Sequence, residues 1–236
     1  MPEQTITHLV CDCDGVLIDS EAVALQALLA GVASFVEPAR HALLPDLIKP
    51  RLGLKLEPLL LGLFQELGLP PPDAAALAAL RAQVELACDT HLRAIPGVAA
   101  ALAAIPLPKA VASNSSHARV SNALARTGMA PLFGDRIYTS DIVGHAKPHP
   151  GVYLAAVKGF GVAAANCAAV EDSITGATAA SAAGLLVLGF TGGGHVPQGQ
   201  AAMLIEAGAV TTFDDMAKLP ELLAAYSAGS PVTRQD

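Results

Sequence analysis

A chain of 236 residues, 53% hydrophobic and only 15% charged, suits one large globular domain or a core with an inserted module. Its net charge of -7, with 14 Lys and Arg in all, leaves no basic stripe to replace phosphate counterions, which excludes general nucleic-acid binding. No apolar run reaches the roughly 18–20 residues that span a bilayer, and MPEQTITH lacks a basic start followed by an apolar signal core, so a soluble cytoplasmic protein without membrane partners is expected. Cys11, Cys13, Cys88 and Cys167 show neither CxxC pairing nor disulfide spacing and are expected as buried thiols. Nothing in the composition demands more than a monomer.

In chain order, Thr5 to Cys13 alternates and is β-prone, then breaks at Gly15, which predicts a strand running into a loop. Asp12-Cys13-Asp14-Gly15 stands at that break. Two carboxylates one residue apart allow one to attack phosphorus while the other handles the leaving group's proton. The same tetrad also fits an acidic turn closed by an Asx cap.

From about Ser20 to His91 apolar residues recur at helical spacing in AVALQALLAGVASF, LEPLLLGLFQELG and DAAALAALRAQVELA, with turns such as GLPPPD between them. This predicts an all-helical insertion over residues 19–92, in a core made of residues 1–18 and 93–236. Asp19 is placed to cap its first helix.

After IPGV, short apolar strands alternate with helices in KAVASN, HARVSNALARTG, DRIYTS, HPGVYLAAVKGFG, CAAVEDS, ITGATAASAAG and LLVLGF. The expected fold class is α/β: a doubly wound, Rossmann-like parallel sheet with helices on both faces, whose ligands bind beyond the carboxyl ends of the strands.

Three of those strand ends carry polar residues. Ser113 and Asn114 can offer a hydroxyl and backbone N–H groups to phosphate oxygens, or simply cap a helix. Lys147 precedes Pro148 at a predicted helix start, where the helix dipole repels a cation unless an anion lies between them. A solvent-exposed lysine is the alternative. Glu171 and Asp172 close an apolar strand, as oxygen ligands for a hard cation such as Mg²⁺; alternatively Asp172 or Ser173 simply caps the helix that begins near Ile174. TGGGH at 191–195 lacks the Lys and Ser or Thr of a nucleotide P-loop, so His195 is expected to be a loop residue. The tail SAGSPVTRQD is expected to fray.

Together, LVCDCDGVLIDSE, VASN, AKPHP and VEDSITG resemble, in order and spacing, the four motifs of the haloacid dehalogenase superfamily, in its β-phosphoglucomutase-like phosphatase subgroup. The helical insertion resembles that family's first-type cap, which closes over the site during turnover. The resemblance implies Asp12 as nucleophile, Asp14 as general acid and base, and Ser113, Asn114 and Lys147 as phosphate holders. It implies Mg²⁺ held by Asp12, the backbone carbonyl of Asp14 and Asp172, with Glu171 contributing directly or from behind them. Arg51 and Lys55 are the cap's candidates for a second anionic or hydroxyl-rich substrate group. The implied activity is hydrolysis of a small phosphate monoester, a sugar phosphate or phosphorylated sugar acid, through an aspartyl phosphate. Asp14 argues against dehalogenase chemistry. Ala24, where the mutases resemble one another in carrying His, argues against a sugar-phosphate mutase, and the intact acids argue against a catalytically silent binding module.

Overall fold

The computed structural model describes residues 5–51, 56–193 and 199–227; Lys55, His195 and the tail residues 228–236 lie outside them. The chain divides into two compact units, Met1–Ile18 with Ala94–Asp236, and Asp19–Arg93. Among the described residues no helix is long and apolar enough to cross a membrane.

The first unit opens with β1 (His8–Cys11). This strand is shorter than the predicted Thr5–Cys13, because the Cys13 carbonyl already accepts from the amides of Leu17 and Ile18 and the chain has turned. Ile18 then forms an antiparallel bridge with Ala94, and the Ile95 amide donates to the Leu17 carbonyl.

The second unit holds α1 (Ser20–Ala33), α2 (Leu44–Ile48), α3 (Leu56–Leu67) and α4 (Ala74–His91), with 3-10 turns over Pro38–Leu43 and Lys49–Arg51. Asp19 caps α1 by accepting from the Ala22 amide, and Asp73 caps α4 by accepting from that of Ala76. Leu28, Val32, Ile48, Leu60, Leu63 and Phe64 lie in a buried cluster of this unit's own.

The sheet unit resumes with α5 (Val98–Ala104), β2 (Lys109–Ser113), α6 (His117–Arg126), α7 (Ala130–Phe133), β3 (Ile137–Thr139), α8 (Ser140–Val143) and α9 (Gly151–Phe160). It ends with β4 (Cys167–Glu171), α10 (Ile174–Ala182), β5 (Leu186–Phe190), α11 (Gln200–Glu206), β6 (Ala209–Phe213) and α12 (Leu219–Ser227). All six strands are parallel, in the order β3-β2-β1-β4-β5-β6. Every residue of β2, β4 and β5 is buried, as in a sheet covered on both faces. Strand order reverses at β1, which opens a crevice at the carboxyl ends of β1, β2 and β4.

Candidate active site

Four side chains from three loops meet at that crevice: Asp12 after β1, Lys147 ahead of α9, and Glu171 and Asp172 at the end of β4. All are nearly inaccessible to solvent. The Lys147 Nζ lies 2.5 Å from Asp12 Oδ1 and 2.6 Å from Glu171 Oε1. α9 begins only at Gly151, so Lys147 stands a turn ahead of the helix and not at its start. The expected conflict with the dipole is absent because buried carboxylates already neutralise the ammonium. Tyr153 also donates to Glu171 Oε1, and Ser173 Oγ lies 3.2 Å from Glu171 Oε2. Ser173, not Asp172, caps α10, accepting from the Gly176 amide.

The glycine of the first motif has a steric reason. At φ 83° Gly15 occupies the left-handed region, and a Cβ there would overlap the Asp172 carboxylate. Any other residue at this position strains the turn and displaces the acid.

Asp14 is held apart from the buried cluster. Ser115 Oγ donates to its Oδ2 at 2.7 Å, and Arg119 donates to its Oδ1 at 3.2 Å. Ser113 is buried at the end of β2, its oxygen accepting from the Ser115 amide at 3.0 Å. The Asn114 side chain has a structural task of its own. Its Oδ1 accepts from the Lys147 amide at 2.7 Å and its Nδ2 donates to the Lys147 carbonyl at 3.3 Å, bracing the lysine's backbone. Neither Ser115 nor Arg119 stood out in the sequence, where SNSSHARV looks like an ordinary capped helix start. Tyr153 was hidden as one more apolar position of α9.

Burial pushes the Asp12 carboxyl well above the usual carboxylate range; Lys147 pulls against it, while Glu171, Asp172 and Asp14 push the same way. Burial also opposes the charge on Lys147, but Asp12 and then Glu171 outweigh it and hold the ammonium above its ordinary range. The neighbouring thiol of Cys11 is pushed up to about 12 by burial, which leaves it inert as a nucleophile beside Asp12.

One carboxylate oxygen each from Asp12, Glu171 and Asp172 lies within 4.8 Å of the others. Among the described residues the ammonium paired with Asp12 and Glu171 is that of Lys147, and the three-acid cluster is consistent with a site for a divalent cation. An all-oxygen donor set suits a hard ion. Gln200 on α11 donates to the Asp172 carbonyl and so fixes the backbone that carries this acid.

A model of the haloacid dehalogenase-like hydrolases matches residues 6–184. The chain belongs to that family. This haloacid dehalogenase-like hydrolase is 30% identical over 214 residues to the 6-phosphogluconate phosphatase of Escherichia coli, covering 89% of this chain and 91% of that one. It is likewise 30% identical to hexitol phosphatase B of Escherichia coli, over 75% of this chain and 80% of that one. Among solved structures, a family hydrolase from Deinococcus radiodurans with bound phosphate and sodium superimposes with a TM-score of 0.83 at 30% identity, covering 97% of this chain and 99% of that chain. A haloacid dehalogenase-like protein from Agrobacterium tumefaciens gives a TM-score of 0.82 at 32% identity, covering 93% and 98%.

In the helical unit of this haloacid dehalogenase-like hydrolase, Arg51 is committed to internal partners. It donates to the Leu47 carbonyl at 2.5 Å and pairs with Glu66. Arg51→Ala is therefore expected to lower stability by about 1–2 kcal/mol while leaving KM unchanged. Thermal unfolding and steady-state kinetics on the same preparation check both halves. A separate pocket of about 460 Å³ within this unit is lined by Asp19, Val23, Gln26, His91 and Arg93 among others.

Proposed function

We propose that this hydrolase is a phosphatase for small phosphate monoesters, sugar phosphates or phosphorylated sugar acids, with Asp12 as nucleophile, Asp14 as proton-transfer group and residues 19–93 as its cap. The observation that carries this reading is the different setting of the two acids of the first motif. Asp12 is buried against Lys147, whereas Asp14 is partly exposed and carries its own separate set of donors.

A phosphate monoester dianion repels a carboxylate, so attack by Asp12 requires positive charge around the phosphoryl oxygens. Lys147 supplies part of it from a fixed position, braced by Asn114 through its backbone and by Glu171 through its ammonium. Asp12, Asp172 and the backbone carbonyl of Asp14, with Glu171 beside them, are the groups that hold Mg²⁺ in this reading. When bound, such an ion would supply positive charge beside these acids and the phosphoryl group. The Ser113 hydroxyl, rooted in a buried strand end, is a donor to a phosphoryl oxygen. Asp14 gives a proton to the departing ester oxygen and then takes one from the water that cleaves the aspartyl phosphate.

Two relatives are named for 6-phosphogluconate and hexitol phosphate hydrolysis, which supports a polyol or sugar-acid ester as substrate. Within the helical unit, Gln26, His91 and Arg93, which line one pocket, join Arg51 and Lys55 as candidate contacts to the substrate's hydroxyl or carboxylate groups.

The test is phosphate release from a panel containing 6-phosphogluconate, hexitol phosphates and p-nitrophenyl phosphate, with Mg²⁺ and with excess chelator. Turnover is expected to vanish in chelator and return when Mg²⁺ is restored. Equal rates in both conditions remove the metal from the reading, and no release from any ester removes the phosphatase.

A further inference from the structure

Glu171 ends β4 with its side chain wholly buried, and its carboxylate is enclosed by donors. The Lys147 ammonium, at 2.6 Å, and the Tyr153 hydroxyl both donate to Oε1, while Ser173 Oγ donates to Oε2 at 3.2 Å. The first turn of α10 closes the space behind. A Cβ on Gly176 would lie 2.0 Å from Oε2 and 2.1 Å from both Oε1 and Cδ, so the carboxylate occupies volume that a glycine leaves open. Gly176 lies within the helix and outside the left-handed region, where alanine is ordinarily the better residue. Close approach of the acid is therefore what this glycine supplies.

Tyr153 meets Lys147 in two ways. Its ring centroid lies 5.1 Å from Nζ, within cation–π range, and its hydroxyl shares the carboxylate oxygen to which the ammonium donates. α9 buries Tyr153 together with Val152, Ala156 and Val157, so packing fixes the ring and the ring fixes the hydroxyl. A buried phenol needs an acceptor, and a backbone carbonyl would serve that need as well. The acceptor here is instead the acid that steers Lys147, whose ammonium also reaches Asp12 Oδ1 at 2.5 Å.

We propose that Tyr153 and Gly176 are positioning residues for Lys147. They fix the Glu171 carboxylate, one with a donor and the other with vacated space, and the carboxylate fixes the ammonium where it meets a phosphoryl oxygen. This rests on the reading of Lys147 as a phosphate holder. Without the Tyr153 hydroxyl, Oε1 retains the ammonium as donor and competes more strongly with phosphate for it. With a methyl group at residue 176, the carboxylate is pushed off its donors and the ammonium loses that support. Either change weakens the hold on phosphate, while Asp12 and Asp172 remain in place for the metal.

The experiment is calorimetric titration of inorganic phosphate into Mg²⁺-saturated protein, on the wild type, Tyr153→Phe and Gly176→Ala. Mg²⁺ titrations and thermal unfolding are run on the same preparations. Tyr153→Phe keeps the ring and is expected to raise the phosphate dissociation constant about fivefold, with that of Mg²⁺ within about twofold of wild type. Gly176→Ala is expected to raise the phosphate constant roughly tenfold and to lower the melting temperature, although alanine ordinarily stabilises a helix interior. If Gly176→Ala fails to fold, Tyr153→Phe decides alone. Unchanged phosphate affinity in Tyr153→Phe, whatever its stability, reduces Tyr153 to a satisfied core phenol and overturns the proposal. So does a phosphate loss no larger than the accompanying Mg²⁺ loss. A wild type that binds no phosphate overturns the underlying reading of Lys147 instead.

Discussion

Asp12→Asn is expected to yield no phosphoenzyme and to reduce turnover by roughly 10⁴- to 10⁶-fold, the range seen when a covalent nucleophile is removed. The amide keeps the volume of the acid and can still accept from Lys147 through its oxygen, so the site stays packed. Its effect on stability runs the other way. Burial holds the Asp12 carboxyl well above its unfolded range, so at neutral pH the ionised acid costs folding free energy that a neutral amide does not. Without metal, the variant is expected to melt no lower than wild type above the carboxylate range, and the advantage disappears as the pH falls and Asp12 takes up its proton in both states. Inactivity combined with undiminished stability separates lost chemistry from lost fold. Label trapped elsewhere on the variant in a quench experiment assigns the nucleophile to another residue.

Lys147→Ala combines a catalytic loss with a structural one. The ammonium sits between Asp12 and Glu171 with 3% of its side chain exposed, and removing it leaves those acids buried without their counter-charge. Breaking a buried pair from one side costs about 3–5 kcal/mol. The Asp12 carboxyl, already pushed up by burial, also loses the influence that pulls it down. Its folded range then lies still further above its unfolded one, so the destabilisation grows as pH rises through that interval and shrinks toward acid. Denaturant titrations in chelator at several pH values test this sign. A loss that is equal at all pH values shows that packing, and not charge, is what Lys147 supplies.

The strand ends were legible in the sequence because each pairs a buried apolar run with polar residues that have no place in a core. LVCD, AVAS and AAVE announce themselves by that abrupt change, and all three strands lie side by side in the sheet. β6 was missed because AVTTF is buried only at its two ends and therefore lacks an apolar run. The Arg51–Glu66 pair was not legible because a sequence shows a charge and not its partner, here fifteen residues later. The bracing of Lys147 by Asn114 was not legible, because the amide side chain that satisfies both backbone groups of the lysine lies 33 residues earlier in the chain. Arg119 pairs with an acid 105 residues earlier in the chain, and the parallel pairing of β1 with β2 brings the two together.

The antiparallel bridge between Ile18 and Ala94 has a bearing on how the protein comes to be folded. It closes the two crossings into a short stem, so that in chain connectivity Asp19–Arg93 is a loop between Ile18 and Ala94. Closing a loop of that length costs only about 2 kcal/mol more than closing one of ten residues, since the penalty rises with the logarithm of length. The Asp19 amide already donates to the Arg93 carbonyl inside the helical unit, so a helical unit that forms first presents its two ends as neighbours. The sheet then meets a tether of a few residues, and the order β1 to β2 can be established almost as if the insertion were absent.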